Sequence, residues 1–236
     1  MIRPIGFIRS CFQEKFSTPR QPGLCPDAWG EIVFEPDFRS PDALRGIEGF
    51  SHLWLVFGFH DTIDHGWHHT VRPPRLGGNE RVGVFASRST FRPNGLGLSL
   101  VRLEAIRMDP ALGPILELGG IDIIDGTPIY DIKPYLPYAE SIPDARAGFA
   151  DGDIPRLTID IDPSATDAFA RLTNREQSVI RQALSLDPRP AASPTDPARI
   201  YGVHMCGKNV RFTIRDEVCL IIQITDSISR DCSGGL

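Results

Sequence analysis

Residues 88–100 read RSTFRPNGLGLSL. Arg88 and Arg92 precede a Pro93-Asn94-Gly95 turn, and Gly97 interrupts the apolar run that follows. Upstream, RVGVFAS (81–87) alternates Val82, Val84 and Ala86 against Arg81, Gly83, Phe85 and Ser87. Downstream, LSLVRLEAI (98–106) is again apolar and strand-like. The pattern predicts a strand, an arginine-rich glycine loop and a second strand. Such a loop lets backbone N–H groups and guanidinium forks come close to a flat or anionic ligand. A plain turn with two solvated arginines has the same local pattern.

Working outward, PIGFIRSC (4–11), GEIVFEPDF (30–38) and SHLWLVFGFH (51–60) read as strands, the last one buried. SPDALRGIEGF (40–50) reads as a capped helical turn opened by Ser40 or Asp42. FSTPRQPGLCPD (16–27) holds three prolines and a glycine in twelve residues, which makes it a loop. PILELGGIDII (114–124) is an apolar strand broken by Gly119-Gly120. A turn, DGTP, follows it rather than a helix, so the strand–glycine loop–helix context of a dinucleotide-type methyltransferase fold is missing. Up to residue 150 the chain is rich in strands and turns and short of helices, the pattern of a β-barrel.

Beyond about 151 the composition changes. DGDIPRLTIDID (151–162) reads as a strand or linker, and PSATDAFARLTNREQSVIRQALSLDP (163–188) as one or two helices ended by Asp187-Pro188. VRFTIR (210–215) and EVCLIIQIT (217–225) read as an antiparallel hairpin, followed by a frayed tail. The expected fold is therefore mainly β: a barrel over 1–150, then a small α+β domain over 151–236.

The chain has 236 residues, enough for a sizeable core. A net charge of −5 argues against a generally sticky nucleic-acid binder. Between Arg72 and Arg107, however, seven arginines face only Glu80 and Glu104, a local excess of five charges that could hold phosphates. No apolar run is long enough to span a membrane, and MIRPIGFIRS does not read as a signal peptide. Five scattered cysteines without a C-x-x-C pair read as reduced thiols of a cytoplasmic protein.

Two stretches carry candidate chemistry. HDTIDHGWHH (60–69) offers metal-ligand types at short spacing, but it is glycine-broken and has no regular period, so no metal site is expected. DGTPIYDIKPYLPYAES (125–141) places Asp131, Lys133, Tyr135 and Tyr138 on a chain stiffened by Pro134 and Pro137, a polar site with stacking surfaces for a base.

Together, PRQPG (19–23), VRPPRLGG (71–78), the 88–100 loop and the 125–141 segment resemble the TrmO family, also called TsaA-like or YaeB. The resemblance runs nearly continuously over 5–150; beyond it, DPRP (187–190) and the hairpin carry a weaker match. It implies a β-barrel methyltransferase that uses S-adenosyl-L-methionine and acts on tRNA. The implied reaction is N6-methylation of threonylcarbamoyl-adenosine beside the anticodon, carried out by a homodimer with donor sites near the interface. Carried over by position, Pro19, Arg20, Gln21, His60, Asp61, Arg88, Leu98 and Asp125, Gly126, Thr127 and Pro128 would line the donor site. Asp131 would accept the acceptor's proton, directly or through water, with Lys133 and Tyr135 orienting the acceptor. Two positions depart from the pattern: relatives often have Gln where Asp61 stands and Pro where Gly95 stands, which should loosen the loop. A barrel that only senses S-adenosylmethionine or RNA is the alternative reading. It would be expected to lack the acceptor-side residues that this chain retains at 131–135.

Overall fold

The computed structural model describes residues 2–189, 196 and 198–227. The tail beyond 227, with Cys232, lies outside them, as does Pro190 of the DPRP stretch. In chain order the first strands are β1 (Gly6–Ser10), β2 (Trp29–Phe34), β3 (His52–Gly58), β4 (Thr70–Val71), β5 (Val82–Gly83), β6 (Leu96–Asp109), β7 (Gly113–Gly119) and β8 (Pro128–Pro134). Six of them close into a barrel in the order β1-β2-β7-β6-β3-β8, with every neighbouring pair antiparallel. Closure leaves no free sheet edge.

Strand alternation decides what fills the barrel. Leu53, Leu55 and Phe57 of β3 point inward and are buried, as are Ile8 of β1, Ile32 and Phe34 of β2, Val101 of β6 and Leu116 and Leu118 of β7. Ile121 and Ile123, in the segment leaving β7, are buried against the same core. Ser40, rather than Asp42, caps the short helical turn Pro41–Leu44, its side chain accepting from the Asp42 N–H.

The strand expected before the arginine loop is largely absent. Only Val82–Gly83 is extended, paired with Thr70–Val71 in a two-stranded sheet outside the barrel. Val84–Ala86 instead coils into a 3-10 turn closed by the Ser87 N–H on the Val84 carbonyl. Of the alternating set only Val84 finds the core, whereas Phe85 is 74% exposed. Val82, Val84 and Ala86, with Gly83 among them, offer too little apolar surface to hold a central strand.

After the one-turn helix α1 (Pro137–Glu140), the chain builds β9 (Thr158–Ile161), α2 (Thr166–Ala170), α3 (Asn174–Ser185), β10 (Tyr201–Met205), β11 (Lys208–Arg215) and β12 (Val218–Asp226). The four strands form a sheet ordered β10-β11-β12-β9, in which β9 runs parallel to β12. The hairpin turn is Asp216-Glu217, both at positive φ, as a two-residue turn between twisted strands requires. Strand β10 was missed in the sequence because Tyr201, Val203 and Met205 make too short an alternation to stand out from RIYGVHM. A capping box of Thr173 and Glu176 starts α3. Its Val179, Ile180, Ala183 and Leu184 join one buried cluster with barrel residues. Cys11, Cys25, Cys206 and Cys219 are free and buried there.

Candidate functional site

The residues singled out from sequence fall into two neighbouring groups. The first sits at one end of the barrel. Here β3 runs out into His60 and Asp61, the arginine loop feeds β6, and the 120–127 segment crosses to β8. The Arg88 guanidinium donates to Gln21 Oε1 at 2.6 Å, joining the arginine loop to the PRQPG loop. His60 Nδ1 lies 3.3 Å from the Thr127 hydroxyl, and its Nε2 lies 3.1 Å from Asp61 Oδ1. Pro19, Thr127 and Pro128 are buried, while Arg20, Arg88, Asp125 and Gly126 are exposed.

Much of the DGTP turn is spent on holding the barrel shut. Asp125 Oδ1 accepts from the Ser10 N–H at 2.8 Å, and the Asp125 N–H donates to the Phe12 carbonyl. The Gly126 N–H donates to Ile8 and the Thr127 N–H to Ile124. A ligand would therefore meet the second Asp125 oxygen rather than a row of free amides, since the buried Thr127 hydroxyl also donates to the Ile124 carbonyl at 2.7 Å.

Arg92 is also committed, donating to the Ser87 carbonyl at 2.8 Å and the Val84 carbonyl at 3.3 Å. That leaves Arg88 as the loop arginine with an open face. Gly95 sits at φ +58° with its N–H on the Arg92 carbonyl and its carbonyl receiving the Phe59 N–H. Proline could not stand there, since its ring holds φ near about −65° and it has no N–H. Gly95 is thus bonded into the turn through both its N–H and its carbonyl.

The second group lies on the outer wall of β6-β3-β8. Val56 stands between Leu98 and Asp131, and Trp54 between Leu100 and Lys133. Asp131 Oδ2 is 2.9 Å from Lys133 Nζ, and its Oδ1 accepts from the Ile132 N–H at 2.9 Å. Tyr135 meets Trp54 edge-on at 6.3 Å between centroids, and the Trp54 Nε1 donates to Glu140 at 2.9 Å. Leu98 is 54% exposed beside them.

What turns Asp131 outward is a β-bulge. Ile129 pairs with Phe57 and Asp131 with Val56, so Tyr130 is an extra residue. Without it, Asp131 would share the inward parity of Ile129. Three residues of strand, about 10 Å, separate Asp131 from Pro128 at the barrel end.

Asp122 was missed. It lies half-buried between Ile121 and Ile123, and the fully buried Ser99 hydroxyl donates to it. Burial, only partly offset by that hydrogen bond and the nearby Arg88 charge, pushes its carboxyl up to about 6. An acid set inside the apolar run GGIDII was the available signal. Because the folded value exceeds the unfolded one, ionised Asp122 costs stability above pH about 6, and the cost fades as pH falls toward about 4. Asp122→Asn is therefore expected to raise stability at pH 7.5 by about 1–2 kcal/mol, discounted for partial exposure. The gain should shrink toward zero at about pH 4, as read by denaturant midpoints at both values.

Among the described residues no set of three or more His, Cys, Asp or Glu could hold a metal ion. His68 packs on Phe91 at 4.9 Å and His69 on Trp67 at 4.3 Å. Among the described residues no helix is long and apolar enough to cross a membrane. Two shallow cavities, of about 540 and 330 Å³, lie away from both groups, around Phe38 and around Phe50.

The chain is similar to known proteins along most of its length. Residues 7–141 match the family of tRNA-methyltransferase O N-terminal domains, and 155–227 match the TrmO C-terminal domain. The Escherichia coli tRNA (adenine(37)-N6)-methyltransferase is 46% identical over 217 residues, 90% of this chain and 92% of its own. A Pseudomonas aeruginosa protein named as an S-adenosylmethionine-dependent methyltransferase, RcsF, is 46% identical over 215 residues, 89% of this chain and 91% of its own. The crystal structure of TrmO from Pseudomonas aeruginosa superposes with a TM-score of 0.77 at 38% identity, covering 95% of this chain and 97% of that one.

Proposed function

Because this chain belongs to the tRNA-methyltransferase O family, we propose that it is an S-adenosylmethionine-dependent methyltransferase acting on N6 of adenine 37 in tRNA, the position named for its Escherichia coli relative. We take the acceptor to be threonylcarbamoyl-adenosine at that position. The observation that carries the reading is the pairing of the two groups, with the barrel-end cluster next to the exposed Asp131–Lys133 pair on the adjoining wall. We place the protein in the cytoplasm, as a homodimer.

The barrel end fits a donor that carries positive charge. It offers the half-buried Asp122 carboxylate and the Gln21 amide, with the exposed apolar Leu98 on the adjoining wall. The donor supplies an electrophilic methyl group on sulfur, and in-line displacement then depends mainly on positioning. Pro19 to Gln21, His60, Asp61, Arg88, Leu98 and Asp125 to Pro128 would hold it. In this reading Arg88 and Gln21 fix each other, while Ser99 orients Asp122.

On the acceptor side, the urea-like nitrogen is a poor nucleophile while it keeps its proton. Asp131 would take that proton or hold the water that does. Lys133, on the same carboxylate, would meet the negative charge of the acceptor, and Tyr135 beside Trp54 gives a ring on which a base can lie.

The test is mass spectrometry of nucleosides from two tRNA preparations incubated with protein and S-adenosylmethionine, one carrying threonylcarbamoyl-adenosine and one an unmodified transcript. One methyl gained on that nucleoside alone is the expected result. Methylation of the plain transcript would instead make unmodified adenine the acceptor. No gain despite donor binding would favour the sensor reading.

A further inference from the structure

Arg20, exposed at the tip of the PRQPG loop, turns toward the C-terminal part of the chain. Its Nη2 donates to the carbonyls of Asp187 and Arg189, each at 3.3 Å. Those carbonyls are held by a tight local device. Asp187 sits at φ +50°, and its carboxylate takes the Arg189 Nε at 2.8 Å, Nη2 at 2.7 Å and backbone N–H at 3.2 Å. Both oxygens are thus used in a forked pair that fixes the turn and aims its carbonyls.

The rest of the loop is gripped from the same side. Arg156 donates to the Leu24 carbonyl at 2.9 Å, and Arg175 to the Asp27 carbonyl at 2.9 Å. Gln182 of α3 exchanges two hydrogen bonds with Asp27, at 2.6 and 3.2 Å. Next to Arg20, Gln21 holds Arg88 at 2.6 Å. Two sets of polar contacts, joined through the Arg20–Gln21 peptide, therefore lead from the Asp187–Arg189 turn to the arginine loop at the barrel end.

We propose that the Asp187–Arg189 turn is a positioning element for the methyl-donor site, acting through Arg20 to set Gln21 and Arg88. This rests on the reading that residues 19–21 and 88 line that site. In this role Asp187 and Arg189 touch neither donor nor tRNA. The C-terminal part of the chain thereby tunes donor affinity.

The test compares full-length wild type with Asp187→Asn and Arg189→Gln, measuring S-adenosylmethionine affinity by calorimetry and tRNA affinity by filter binding. Asparagine tolerates the positive φ at 187, so the turn can still form without its forked pair. Each variant should weaken donor binding about fivefold, the scale of one net hydrogen bond, and leave tRNA affinity within about twofold. On an Arg20→Ala background neither change should weaken donor binding further, since the route to the site is already cut.

Unchanged donor affinity in both variants would overturn the proposal, as would effects that add in full to that of Arg20→Ala. Parallel loss of donor and tRNA affinity with a lowered melting temperature would overturn it too, because that is general destabilisation. A wild-type protein that binds no S-adenosylmethionine would overturn the donor-site reading itself, a separate failure.

Discussion

Asp131→Asn is expected to lower methyl transfer by about 100-fold or more, with donor affinity within about twofold of wild type. The carboxylate lies on the outer wall, three residues along β8 from the barrel end, so its loss should leave the donor-side contacts intact. Asparagine keeps the shape and can still accept from the Ile132 N–H. It cannot take a proton and does not hold Lys133 by charge. The loss should therefore appear in the rate at saturating donor and tRNA, with little change in the donor's own KM. Single-turnover rates beside calorimetric donor binding would check it. Full turnover in the variant would remove Asp131 as the base and shift the role to the acceptor's own carboxylate.

The largest stability effect is expected at Gly97. A Cβ built there would lie 2.3 Å from Phe57 Cζ and 2.6–2.7 Å from two more atoms of the ring. Phe57 cannot move away easily: it is buried, faces into the barrel and meets Phe59 edge-on at 5.0 Å. Gly97→Val should destabilise by about 3 kcal/mol, and Gly97→Ala by about 1–2, through overpacking. Phe57→Leu on the Gly97→Ala background should recover part of the loss, because it frees the space the methyl needs. Urea-unfolding midpoints of the four proteins would decide it, and a Gly97→Val protein as stable as wild type would contradict the packing described.

The barrel-end residues were legible as a set because they come in dense local strings. PRQPG, RSTFRPNG and DGTP each put turn-forming residues beside polar groups, and turn chemistry is read over three or four residues. Asp122 was not legible, since its neighbours Ile121 and Ile123 make the stretch read as plain strand. Its partner Ser99 is 23 residues away in sequence and meets it only once the barrel closes. The 3-10 turn at Val84–Ala86 and strand β10 were misread for a related reason: three alternating apolar residues are too few to outweigh tertiary context.

Local pattern was enough for a strand-rich first part, a helix and hairpin near the end, the turn-rich polar loops, and the family. Local periodicity and turn residues carry those features, whatever lies across the fold. Which way Asp131 and Lys133 face, and what Arg20 holds, depend on contacts made across the fold. A strand's two faces exchange with each added residue, and the bulge at Tyr130 becomes visible only when β8 pairs with β3. The carbonyls that Arg20 reaches lie more than 160 residues along the chain, at separations of 167 and 169. No local pattern encodes such a contact; it exists because α3 and the barrel share one buried core.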